Sequence, residues 1–74
     1  MAKYEVTIYN AEVREKVQQG EHHTRYTDDW ADFRYIEVSA DTEAQARRQV
    51  RYRYPSEQGF VIDDVQKSED QKYE

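Results

Sequence analysis

The sequence predicts a small α+β domain: a three-stranded mixed sheet in β-x-β-α-β order, with one main helix packed on one face. Three observations carry this expectation. The run from Phe33 to Val65, FRYIEVSADTEAQARRQVRYRYPSEQGFVIDDV, reads as strand, helix, strand. An alternating run near the start, KYEVTIYN, supplies a third strand. The chain has only 74 residues, enough for a single domain over 1–66 followed by a polar flexible tail over 67–74.

The first strand, Lys3 to Asn10, places Tyr4, Val6 and Ile8 on one face and Glu5, Thr7 and Tyr9 on the other. It is expected between the other two strands and antiparallel to both, with one face on the helix and one toward solvent or a partner. Ala11 to Gln19 can form a short helix with Asn10 as its cap and Gly20 as its stop, held by few apolar residues: Ala11, Val13 and Val17. The following GEHHTRYTDDWAD reads as a loop.

The second strand, Phe33 to Ala40, turns Ile36, Val38 and Ala40 one way and Phe33, Tyr35 and Glu37 the other. Asp41 then stands as helix cap, where its carboxylate suits the free amides and the positive end of the dipole. Thr42 to Tyr54 is rich in helix formers, and Ala46, Val50 and Tyr54 share a face. Pro55 ends the helix. The last strand, Gly59 to Val65, has an ambiguous inward face, since Phe60 and Ile62 oppose Val61 and Val65.

Composition narrows the function. Only 36% of residues are hydrophobic and there is no leucine, so seven tyrosines, Trp30, Phe33 and Phe60 must supply much of the burial. So small a core suggests an oligomer or a partner. The absence of cysteine removes disulfides, thiol nucleophiles and thiolate zinc sites. No apolar run approaches the roughly 20 residues of a membrane helix, and no signal-peptide core is evident, so a cytoplasmic protein is expected. No glycine-rich elbow, GxGxxG or P-loop is present, and no carboxylate pair is marked as buried. The expectation is a non-enzymatic protein without a cofactor.

Three clusters remain. His22 and His23 with Asp28 and Asp29 are suitable metal-ligand types, but their spacing fits no metal motif and a solvated loop is the simpler reading; no metal site is assigned. Arg47, Arg48, Arg51 and Arg53, interleaved with Tyr52 and Tyr54, are the residue types that hold phosphates and stack on bases. The net charge of -5 and the pI near 5.0 oppose such binding, and salt bridges on a surface helix are the plain alternative. Tyr9 and Tyr35 on the sheet face away from the helix, with Tyr26 and Trp30 in the adjoining loop, are the types that dominate binding hot spots. The two loop aromatics can equally fold back as core.

The succession of strand, Ser-Ala-Asp-Thr-x-x-x-Ala, arginine-rich helix ending at Arg-Tyr-Pro, and Gly-Phe-Val-Ile resembles a module of small uncharacterised proteins, phage-encoded ones especially. The resemblance covers about the second half of the chain and concerns structure. It implies a viral accessory protein that binds a host or viral macromolecule, anti-CRISPR proteins being one such class. The function expected is therefore a small protein-binding or regulatory module, with a nucleic-acid-binding accessory protein as the alternative.

Overall fold

The alternation of the first ten residues is realised as a central strand. In the computed structural model, which describes residues 2–68, β1 (Ala2–Asn10) is followed by α1 (Ala11–Gln18), β2 (Arg34–Ala40), α2 (Glu43–Arg53) and β3 (Phe60–Lys67). Two 3₁₀ turns, Asp28–Ala31 and Ser56–Gln58, lie in the connections. The strand order is β2-β1-β3, and both pairings are antiparallel. Since β1 separates β2 from β3, those two run in the same direction without pairing. The fold is the expected α+β arrangement.

Each element has a local cause. Asn10 caps α1, its side chain accepting from the amide of Val13 at 3.0 Å. At the other end Glu21 N donates to Lys16 O and Gly20 N to Val17 O, with Gly20 at φ +76°. This left-handed closure is the one glycine permits without strain. The cap of α2 is Thr42, not Asp41. Thr42 is the extended residue immediately before the helix, and its hydroxyl accepts from Gln45 N at 3.1 Å. Gln45 reaches back to accept from Asp41 N at 2.6 Å, so Asp41 stands one residue too early to cap.

The ambiguous face of β3 is resolved by a bulge. The register steps from Ile8↔Ile62 to Thr7↔Asp64, leaving Asp63 as an extra residue. The side-chain alternation resets there, so Phe60, Ile62 and Val65 all face the core despite their spacing. Tyr4, Val6, Ile8, Ala40, Ala46, Val50, Phe60 and Val65 are buried together, with Ile36, Val38, Tyr54 and Ile62 packed around them. Ile36 is only half-buried because β2 is an edge strand. Of the polar tail expected over 67–74, Lys67 pairs with Tyr4 and Ser68 N donates to Lys3 O, while the rest lies outside the described residues. Among the described residues no helix is long and apolar enough to cross a membrane.

Two substitutions probe this core. Val50→Ala removes two methyl groups from a site 1% exposed and should cost about 1–3 kcal/mol in urea unfolding. Asn10→Ala removes the cap of α1 and orphans the Gln58 carbonyl, which accepts from Asn10 Nδ2 at 3.1 Å. A loss of about 1–3 kcal/mol is expected from these two effects. An Asn10→Ala midpoint equal to that of the wild type would show that the cap contributes nothing.

Candidate interaction surfaces

Among the described residues the sheet has one covered face and one open face. Helix α2 lies on the covered face, and the segment after α1 completes the cover. Phe60 there is surrounded by three rings: Tyr26 at 5.0 Å, Trp30 at 5.2 Å and Tyr54 at 5.2 Å between centroids, all edge-on. Trp30 also meets Tyr54 at 5.4 Å and lies beneath the guanidinium of Arg34 at 4.7 Å. The Tyr26 hydroxyl donates to Gln58 Oε1. Aromatic edges packed this way supply the burial that absent leucines would otherwise give.

The expected four-residue aromatic surface is therefore divided. Tyr26 and Trp30 are half-buried on the α2 side, whereas Tyr9 and Tyr35 lie on the opposite, open face. Tyr9 has neighbours that sequence spacing did not reveal. Phe33 meets it edge-on at 5.5 Å, and the guanidinium of Arg14 lies 3.8 Å from its ring centroid. Arg14 also donates through Nε to Ala31 O at 2.9 Å, which ties α1 to the turn at Asp28–Ala31. Val61 pairs with Tyr9 across the sheet, and Tyr35 pairs with Thr7 one step along. Phe33, Tyr35 and Val61 are 45%, 63% and 37% exposed. The far end of the same face is acidic. Glu5 stands directly opposite Glu37, and Asp64 pairs with Thr7. Lys3 meets Glu37 at 3.8 Å.

The arginines of α2 form a second surface. Arg47 is engaged by Glu43 one turn earlier, at 3.3 Å. Arg48, Arg51 and Arg53 are exposed and form no salt bridge among the described residues. Tyr52, among them, is 89% exposed.

The histidines do not converge. His22 Nδ1 is 2.9 Å from Asp28 Oδ2, and His23 Nε2 is 3.1 Å from Glu12 Oε1. His23 Nδ1 accepts from the amide of Arg25 at 3.0 Å, so the proton of the neutral ring sits on Nε2 and is donated to Glu12. Asp29 joins neither pair. Among the described residues no three histidine, aspartate or glutamate groups assemble for a metal. No family model, no curated protein and no solved structure matches the chain.

The His22 pair makes a prediction about pH. Its hydrogen bond to Asp28, then the carboxylate charge, raises the imidazole pKa above 6.5. A raised folded-state value means that the pair favours the folded chain below pH 6.5, and that this contribution disappears as pH rises through the raised pKa. Both groups are exposed, so the effect on stability is slight. In an NMR titration His22 should have a midpoint above 6.5, and Asp28→Asn should lower it. An unchanged midpoint in Asp28→Asn would assign the shift to another group.

Proposed function

We propose that the chain is a small, non-enzymatic protein-binding module, in keeping with a viral accessory role, and that the open sheet face is its contact surface. The observation that carries this reading is the cluster of Tyr9, Phe33, Tyr35 and Val61. Three of these are large, apolar and exposed: Tyr35 on β2 and Val61 on β3 flank β1 on one face, and Phe33 lies just before β2. Such rings lose little entropy on ordering and displace much water, which suits association.

The charges on this face select the partner. Glu5, Glu37 and Asp64 lie beside the aromatic end, while the cations of the face are engaged, Lys3 by Glu37 and Arg14 by the Tyr9 ring and Ala31 O. Like charges directly opposite one another weaken strand pairing, so Glu5 and Glu37 are not explained by sheet stability. They fit a protein surface that presents cationic side chains around an apolar anchor. A two-fold that brings like ends of this face together would oppose the carboxylates of two copies, which favours a different protein as the occupant.

The test uses Tyr35→Ser and the double variant Tyr9→Ser/Tyr35→Ser. Both should keep the circular dichroism spectrum of the wild type. A protein captured by the wild type is identified, purified and titrated by calorimetry. Binding should weaken at least about tenfold in Tyr35→Ser, as for a hot-spot truncation, and should diminish with salt. Hydrogen exchange in the complex should slow on β1 and β2. Equal affinity in both variants, or protection confined to α2, would sink the proposal. A wild-type dimer that dissociates on Tyr35→Ser would make a second copy the occupant instead.

A further inference from the structure

We infer that the outer crest of α2 is a second, separate binding site, for single-stranded nucleic acid, with Tyr52 as the stacking residue between arginines that hold the phosphates. The inward stripe of α2 is Ala46, Val50 and Tyr54. At 3.6 residues per turn, Arg48 and Tyr52 lie one turn apart on the opposite side of the helix, with Arg51 beside them. Tyr52 takes part in none of the aromatic pairs among the described residues, and its ring is almost fully exposed. A shallow cleft lies on each side of it. Gln45, Arg48, Gln49 and Arg53 line one; Ala44, Arg47, Arg48 and Arg51 line the other. Both flanks of the ring are therefore open to a flat ligand.

The charge of the whole chain does not decide the matter. Between Glu43 and Arg53 four arginines stand against one carboxylate, and that carboxylate is held by Arg47. At physiological ionic strength fields decay over about 8 Å, less than a helix diameter. The carboxylates of the open sheet face lie on the far side of that helix and are screened from its crest. Guanidinium groups pair with phosphate oxygens in a planar fork, and aromatic rings stack on any base. A carboxylate-bearing protein would pair with the arginines and pack on part of the ring, whereas a base stacks face to face on a ring that is open on both flanks. A duplex keeps its base faces stacked internally, so a single strand uses both groups.

The experiment is fluorescence anisotropy with a labelled single-stranded oligonucleotide, its duplex, heparin and polyglutamate as separate probes. The wild type should bind the single strand, and the affinity should drop about twentyfold between 50 and 200 mM salt if Arg48, Arg51 and Arg53 each meet a phosphate. Tyr52→Ala should weaken single-strand binding about tenfold, leave heparin binding unchanged, and be rescued by Tyr52→Phe. Arg48→Glu/Arg51→Glu should abolish binding and reduce the salt dependence. Tyr9→Ser/Tyr35→Ser should bind the oligonucleotide normally, so this site and the sheet face stand or fall separately. No single-strand binding at low salt overturns the inference. So does single-strand binding that Tyr52→Ala leaves intact, which would mark a general polyanion surface. Tighter binding of polyglutamate than of the oligonucleotide would point to an acidic protein and also overturn it. The Tyr52→Ala and Tyr52→Phe comparison stays decisive should the charge-reversed variant fail to fold.

Discussion

Asn10 is the residue through which the two halves of the molecule are joined. It ends β1, pairs with Phe60 across the sheet and is fully buried. Its Oδ1 starts α1 by accepting from Val13 N, and its Nδ2 holds the Gln58 carbonyl just before β3. The next amide, Ala11 N, donates to Gly59 O at 2.7 Å. A buried amide that meets both demands fixes where each chain segment departs. Gly59 is the necessary complement. It sits at φ +98°, and a Cβ there would come within 2.7 Å of both Asn10 Oδ1 and Glu12 Cγ.

Both candidate features of the sheet follow from that junction. The direction given to α1 carries Arg14 over the ring of Tyr9 and down to Ala31 O, which anchors the turn at Asp28–Ala31. The start given to β3 sets Phe60 where Tyr26, Trp30 and Tyr54 can close around it. The aromatic cage on the covered face and the exposed aromatic cluster on the open face are thus positioned by the same few hydrogen bonds.

The elements with local causes were legible in the sequence. Period two in the first strand, the Ala46, Val50 and Tyr54 stripe, Asn10 as a cap and Gly20 as a stop all act within a few residues. What escaped depends on contacts distant in sequence or on a break in periodicity. The bulge at Asp63 is invisible to a count of alternate residues, yet it turns Val65 inward. The choice of Thr42 over Asp41 turns on one residue of backbone, a distinction that two adjacent good caps do not reveal. Tyr26 and Trp30 lie in the loop that the sequence implies, but loop composition does not say which side of the sheet the loop crosses. Glu12, the partner of His23, lies eleven residues earlier, so no spacing rule in the loop could have found it. For the open face, alternation already put Phe33 beside Tyr35. Val61 joined them only once pairing to β1 was known.

The division of the tyrosines bears on why the proposed surfaces are open at all. A chain without leucine must bury aromatics to fold, and this one does so with Tyr4, Tyr26, Trp30, Tyr54 and Phe60. Among the described residues the remaining rings add nothing to that core, since an exposed ring gains nothing from burial. Tyr35 and Tyr52 stand outside on opposite layers of the molecule, one beside carboxylates and the other among arginines. Each ring is thus embedded in charge of a single predominant sign, which is the arrangement that steers a charged partner and rejects one of the wrong sign. Opposite signs on opposite faces would also limit any one charged ligand to one face, which makes the two proposed surfaces physically independent.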